Sequence, residues 1–314
     1  MSTPEVSIMD TPEQQIDTPR RRPTVTMIFV TWNAAAFIDK ALKTVQAQTY
    51  PADCIRTVVV DNASQDGTVD LIREKFSWVT LMPESVNHGF AVGNNIGMQA
   101  YPADYFALVN HDVELDPNWL TSIIDTMEAD PTIGVAGSKI FYGNRILLQH
   151  TGGMLRENAL TYHLGVNEFD IGQHETLQDV HYVMGAALVT RGELAKSLDY
   201  LHKEYFMYFE ETDFCVHARK AGYRVVYVPN AIVYHDEKRS LGGRPTFRYL
   251  RLYHRSRYLF ALRNMTTEED RQRFLTAEHN WRRDNIRGIK YAIVLLSGKL
   301  AHWRWILKDP WLLR

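Results

Sequence analysis

Three stretches of the chain carry side chains whose type and spacing suit chemistry. Asn110-His111-Asp112 follows an apolar run, and a carboxylate there offers a hard oxygen ligand to a divalent cation that would neutralise a diphosphate. Glu210-Glu211-Thr212-Asp213 brings three acids within four residues directly after the aromatic run Tyr205-Phe206-Met207-Tyr208-Phe209. That combination suits a pocket in which a carboxylate takes a proton from an attacking hydroxyl. His235 is a nitrogen ligand in search of partners. Each residue has a plainer reading as well. A strand-end acid caps a turn, acids in a first helical turn complement the helix dipole, and a lone histidine is usually structural.

The elements that would position these residues are legible. Thr24 to Val30 and Arg56 to Val60 are β-rich apolar runs ending in Thr31-Trp32-Asn33 and Asp61-Asn62-Ala63-Ser64. Helical stretches are expected at 36–48 and 67–76, a short strand at 79–82, a Gly/Asn segment at 87–95 leading into a helix to about 100, and a strand at 105–109. Such alternation specifies a parallel sheet with helices on both faces, and ligands bind such sheets beyond the carboxyl ends of the strands. Thr31, Asn33, Asp61, Asn62, Asn110 and Asp112 should therefore converge on one crevice. Short strands with Gly-rich turns are expected from 133 to 182, a helix ending near Gly222, a strand at 224–229 with 231–235 heading into a loop, and helices from Thr246 onward.

Composition fits this picture. The chain has 314 residues, 45% hydrophobic and 23% charged, as in an ordinary folded protein. Its two cysteines, Cys54 and Cys215, make neither a disulfide framework nor a zinc site, so a reducing, cytoplasmic setting is expected. Residues 1–22 read as a flexible polar tail without the apolar segment of a secretory signal, and no stretch reaches the roughly 20 apolar residues that span a bilayer. From Lys238 to Arg314 the chain carries 18 Lys/Arg against 6 Asp/Glu, which points to an anionic partner for this part.

The motifs together resemble the inverting family 2 glycosyltransferases. Val30-Thr31-Trp32-Asn33, the segments at 60–68 and 87–95, Leu108 to Val113 as a variant of the D-x-D motif with Asn110 in place of the first Asp, Tyr208 to Cys215 with Arg219 to Tyr223, and Val233-Tyr234-His235 followed by Ser240 occur in that family's order from about Thr24 to Asn264. The sub-pattern is similar to bacterial rhamnosyltransferases of polysaccharide assembly.

That resemblance implies an α/β GT-A fold: a Rossmann-like, mostly parallel sheet flanked by helices, with a helical C-terminal extension. It implies a catalytic domain over 23–245, its nucleotide-binding part at 23–115 and its acceptor-binding part at 116–245, followed by a basic, aromatic region at 246–314. Thr31, Asn33, Asp61, Asn62, Gly89, Asn95, Asn110 and His111 would border the nucleotide-sugar, with Asp61 reading the base. Asp112 and His235 would bind Mg²⁺ or Mn²⁺. The family's base is an Asp at the position held here by Glu211; Glu210 is the next candidate, and Asp213, in the same acidic cluster, is expected to support structure or acceptor binding. A single base opposite the leaving group inverts the anomeric centre. The donor expected first is dTDP-rhamnose, then UDP-sugars, and the acceptor expected is a saccharide or a saccharide carried on a polyprenyl diphosphate.

On the C-terminal helix at 246 onward, Arg248, Arg251, Arg255 and Arg257 offer guanidinium groups suited to diphosphate, Arg255 among them as a donor contact. Trp303, Trp305 and Trp311 interleaved with Arg and Lys suggest a helix lying on an anionic membrane at the inner face of the cell membrane; packing on the catalytic domain or in a homodimer is the alternative. A nucleotidyltransferase would carry a Gly-rich basic loop after the first strand, where Thr31-Trp32-Asn33-Ala34 stands instead. No nucleic-acid motif accompanies the basic residues, so no nucleic-acid partner is expected. A non-catalytic nucleotide-sugar or glycan-binding module is the remaining alternative.

Overall fold

A computed structural model describes residues 21–236, 246–285 and 289–313. All but the last two residues of the expected tail, and Ser240, lie outside the described residues.

The first part alternates strand and helix: β1 (Val25–Thr31), α1 (Ile38–Gln46), β2 (Ile55–Asp61), α2 (Thr68–Lys75), β3 (Thr80–Pro83), α3 (Gly89–Ala100) and β4 (Tyr105–Asn110). β1 is buried at every position, which explains an unbroken apolar run where a one-sided strand would alternate. β5 (Val113–Leu115), α4 (Trp119–Ala129) and β6 (Ile133–Tyr142) follow. Then come the short β7 (Leu148–His150), β8 (Gly153–Leu155), β9 (Thr161–His163) and β10 (Gln178–Asp179). β11 (Ala187–Arg191), α5 (Gly192–Ser197), α6 (Glu210–Lys220) and β12 (Arg224–His235) complete the sheet and its cover. The chain ends in α7 (Phe247–Asn264), α8 (Glu268–Asn285), α9 (Ile289–Leu300) and α10 (Trp303–Lys308).

The main sheet runs β10-β12-β6-β11-β4-β1-β2-β3, with β5 paired to β12 and β7 to β6, while β8 and β9 form a separate hairpin. β3, β2, β1 and β4 are mutually parallel, as the strand–helix alternation requires. β11 runs antiparallel to both β4 and β6, and β12 returns parallel to β6.

Two sequence expectations are corrected here. The stretch after 133 opens with a ten-residue strand, not with short ones. Its glycines mark close approach, since a Cβ on Gly137 would lie 2.3 Å from Val183 Cβ. Residues 231–235 do not head into a loop but form the second half of β12, after a register shift between Val228 and Ile232 that takes up Pro229.

Helix α3 lies close against β1 because Gly93 and Gly97 face it. A Cβ on Gly93 would come within 2.8 Å of Val30 Cγ1, and on Gly97 within 2.9 Å of Ile28 Cγ2. The C-terminal helices share the core on this face of the sheet: Tyr258, Phe260, Phe274, Leu295 and Trp311 pack in one apolar cluster with Ile28, Leu108 and Tyr182. Fully buried Arg257 joins α7 to α8 through Glu278 at 2.8 and 2.9 Å and reaches the Asn158 carbonyl at 3.1 Å. Among the described residues, no helix is long and apolar enough to cross a membrane.

Candidate active site

The carboxyl ends of β1 and β2 are stitched into one polar ledge. Thr31 Oγ1 donates to Asp61 Oδ1 at 2.8 Å, and the Ser64 N–H donates to Asp61 Oδ2 at 2.9 Å. The Asn33 N–H donates to Ser64 Oγ at 2.8 Å, and Asn33 Oδ1 accepts from the Gln65 N–H at 2.9 Å. Asn33 sits at φ 52°, in the left-handed region that asparagine tolerates better than most side chains. The two turns therefore hold one another, with the Asp61 carboxylate buried between them. Asn62 is buried too, and its Nδ2 donates to the Gly89 carbonyl at 3.1 Å, tying β2 to the start of α3.

Pairing of β5 with β12 sets Val113 opposite His235 and so places Asp112 beside that histidine. His235 Nε2 lies 3.2 Å from Asp112 Oδ1, yet Oδ1 is buried without an aligned hydrogen bond. The other ring nitrogen, Nδ1, is 2.9 Å from Gln149 Oε1, an acceptor, so Nδ1 carries the proton and Nε2 is a lone pair. A lone pair and a carboxylate oxygen facing each other form a donor set suited to a divalent cation, and Gln149 is the outer partner that fixes the ring. Among the described residues no cluster of three or more His, Cys, Asp or Glu surrounds this pair, so remaining positions of a cation would fall to a ligand such as a diphosphate. His111 approaches the Val30 carbonyl with Nδ1 at 3.2 Å, and the Asn110 N–H donates to the Ala186 carbonyl at 2.9 Å.

The acidic motif opens α6 behind two residues with left-handed backbone, Tyr208 (φ 70°) and Phe209 (φ 72°). Such strain persists only where the surroundings impose it. Here the Phe206 carbonyl accepts from the Phe90 N–H at 2.8 Å, and Ser256 Oγ donates to the Met207 carbonyl at 2.8 Å. Glu211 lines a pocket of about 200 Å³ with Tyr182, Tyr208, Tyr249, Tyr253, Thr161 and His163. Burial pushes its carboxyl up to about 7, against the pull of backbone N–H groups including that of Gly185. Glu210 is driven well above the carboxylate range by burial and by Glu211, and it does not line that pocket. The two adjacent acids thus differ in placement: Glu211 lines the pocket, while Glu210 is buried away from it, and burial raises both carboxyls.

Three residues named from the sequence have structural partners. Asp213 accepts from Tyr205 Oη at 3.2 Å, Arg263 Nη2 at 3.1 Å and Asn264 Nδ2 at 2.7 Å, so its buried carboxylate anchors α6 to α7. Asn95 makes a two-bond clasp with the Leu201 backbone at 2.7 and 3.0 Å, holding the loop before α6 instead of opening to the crevice. Arg255 turns its backbone to α9, where a Cβ on Gly298 would lie 3.2 Å from its nitrogen, and its carbonyl accepts from His302 Nε2 at 2.9 Å. The guanidinium near the strand ends is that of Arg248, 5.9 Å from the centre of the exposed Trp32 ring.

Sequence reasoning found Tyr208 and Phe209 of the pocket's lining but missed Tyr182, Tyr249, Tyr253 and His163. Tyr249 and Tyr253 are stacked with centroids 5.8 Å apart and an interplanar angle of 24°, and their spacing of one helical turn was the available signal. His150, His163 and Gln149 had none, because only the pairing of short strands brings them in. A larger cleft, of about 840 Å³ and lined by Tyr50, Arg56 and Trp78, sits at the amino ends of the parallel strands and holds none of the motif residues.

A mixed sheet whose parallel half ends in polar turns, a carboxylate–histidine pair and an acid facing an aromatic pocket fit a GT-A glycosyltransferase. The chain belongs to glycosyl transferase family 2, whose model matches residues 26–198. The acidic motif and His235 lie beyond that match. It is 24% identical over 256 residues, 74% of this chain and 82% of the other, to the N-acetylglucosaminyl-diphospho-decaprenol L-rhamnosyltransferase of Mycobacterium tuberculosis. Its fold is similar to that of S. aureus TarS 1-349 in complex with UDP (TM-score 0.57, 17% identity, 83% of this chain and 73% of that one). It is also similar to the mannosyltransferase PcManGT of Pyrobaculum calidifontis in complex with GDP-Man and Mn²⁺ (TM-score 0.55, 18% identity, 93% and 83%).

Proposed function

We propose that this glycosyltransferase moves a sugar from a dTDP- or UDP-sugar, rhamnose from dTDP-rhamnose first, to a saccharide on a polyprenyl diphosphate, with inversion, at the cytoplasmic face of a membrane. The observation that carries the catalytic part is Glu211, a half-buried acid lining an aromatic pocket with a carboxyl raised to about 7. Its pKa near neutrality matches that of an efficient general base. The stacked Tyr249 and Tyr253 suit the apolar faces of a sugar ring. Glu211 takes the proton of the attacking acceptor hydroxyl as that oxygen bonds to the anomeric carbon and the nucleotide diphosphate leaves from the opposite face.

The strand-end ledge serves the nucleotide. Asp61 Oδ2 has capacity for one donor beyond the Ser64 N–H, which suits the imide N–H of a pyrimidine. Asp112 and His235 would hold Mg²⁺ or Mn²⁺, which when bound neutralises charge on the departing diphosphate. Arg248 supplies a fixed positive charge on the same side. The acceptor class is supported by the mycobacterial relative, whose name specifies a diphospho-decaprenol substrate.

The membrane assignment has its own support. Ile293, Leu296, Leu300, Trp303 and Leu307 are each more than half exposed and recur at intervals of three and four across α9 and α10, with exposed Arg304 and Lys308 alongside. A basic-flanked apolar stripe suits an anionic bilayer surface.

The test is thermal stabilisation by dTDP-, UDP- and GDP-sugars with and without Mn²⁺, because a ligand of the folded state raises Tm by mass action. A metal-dependent shift with a pyrimidine diphosphate sugar supports the donor reading. No shift with any nucleotide sugar would contradict it and favour a glycan-binding module.

A further inference from the structure

We propose that His163 positions the acceptor: its Nε2–H, fixed by a tautomer lock with His150, donates to a hydroxyl of the acceptor sugar in the pocket that Glu211 lines. The inference rests on the reading of that pocket as the acceptor site.

The lock follows from three contacts. The Met184 N–H donates to His150 Nε2 at 3.2 Å, so that nitrogen presents a lone pair and the His150 proton sits on Nδ1. His150 Nδ1 lies 2.6 Å from His163 Nδ1. Two N–H groups cannot face each other at that separation, so His163 Nδ1 accepts and its own proton must be on Nε2. A second proton on either ring would break one of these contacts, and the pair is therefore neutral. Burial agrees, pushing His150 well below the usual histidine range and His163 down to about 4.

Pairing of β8 with β9 sets His163 opposite Gly153, and the Tyr182 ring, 5.9 Å from that of His163, fills the space a Cβ on Gly153 would need. Among the described residues, His163 Nε2 has no hydrogen-bond partner, while its ring lines the pocket with Glu211, Thr161, Tyr182, Tyr249 and Tyr253. Neutrality matters to the chemistry. A cation beside Glu211 would lower that carboxyl and weaken it as a base, whereas a neutral donor orients an oxygen and leaves the base strength intact. The ligand implied is a saccharide with at least two hydroxyls in the pocket, one giving its proton to Glu211 and another accepting from His163.

The test uses a short-chain N-acetylglucosaminyl-diphospho-polyprenol as acceptor probe and compares acceptor KM with nucleotide-sugar Kd. His163→Leu keeps bulk but removes the donor, and it should raise acceptor KM about ten-fold, the worth of one neutral hydrogen bond, with nucleotide-sugar Kd unchanged. His163→Gln, which returns an N–H near the position of Nε2, should recover most of the loss. His150→Leu should mimic His163→Leu, and His150→Asn, which returns a donor near Nδ1, should recover it. Tyr249→Ala separates the two levels of the claim. A raised acceptor KM in Tyr249→Ala with none in His163→Leu overturns the role of His163 alone. No rise in either, or a wild type that neither binds nor glycosylates the probe, overturns the acceptor reading itself. Should His163→Leu not fold, an unrecovered acceptor KM in folded His163→Gln overturns the donor role.

Discussion

The carbonyl oxygen of Phe206 occupies the space that a side chain on Gly89 would need. A Cβ there would lie 2.3 Å from that oxygen, and Gly89 has a φ of +82°. The glycine is thus the seat on which the loop before α6 rests, with the Phe90 N–H bonded to the same carbonyl at 2.8 Å. Gly89→Ala should cost about 2–4 kcal/mol from the clash and the left-handed backbone together. Urea unfolding reads the loss. Acceptor turnover should fall more than nucleotide affinity, because the displaced segment carries Glu211.

Gln149 holds His235 from behind and does not belong to the donor set. Gln149→Leu should weaken Mn²⁺-dependent nucleotide binding by about 10–100-fold, as loss of an outer-shell partner does. Titration calorimetry of nucleotide with and without Mn²⁺ checks this. Equal affinity in variant and wild type would argue against a cation at Asp112 and His235.

Asp213 and Arg263 make a mostly buried pair, 4% and 17% exposed at their side chains. Asp213→Ala leaves Arg263 without its partner and should cost about 3 kcal/mol in stability. Its turnover, measured where both proteins are folded, should fall far less than that of Glu211→Gln. An equal fall would place Asp213 in the chemistry.

Glu211 makes both rate and stability depend on pH. Its folded carboxyl is raised to about 7 from an ordinary 4.5, so transfer should rise with pH through about 7 as the base ionises. Between those two values the unfolded chain has lost a proton that the folded protein keeps. Stability from this group is therefore full below about 4.5, falls as pH rises and levels off above about 7. Denaturant unfolding from pH 5 to 8 should show a shallower decline in Glu211→Gln, with a residual decline from Glu210, which is raised as well.

Much of this site was legible in the sequence. Thr31, Asn33 and Asp61 end parallel strands, and the crevice at such ends follows from strand–helix alternation alone. Asp112 and His235 were legible only through the family pattern, because nothing local indicates that β5 will pair with β12. Gly89 and Asn95 sit in a motif read as a donor border, and the structure gives each a further task, one as a close approach to Phe206 and the other as a clasp on Leu201. A linear pattern does not say which later loop will lie over a helix. Nor did it separate Glu210 from Glu211, neighbours on one helical turn whose environments differ only once the aromatic pocket forms. His150 and His163 were missed because the short strands that join them carry no strong periodicity.

The most direct test of the central claim is transfer by wild type and Glu211→Gln from the nucleotide sugar that raises Tm, with the anomeric configuration of the product read by NMR. Wild type should give a product inverted relative to the donor. Glu211→Gln should bind donor as wild type does but transfer about 10²–10⁴-fold more slowly, the usual worth of a general base. Full activity in Glu211→Gln, or a product that retains the donor's configuration, would contradict a single displacement driven by Glu211.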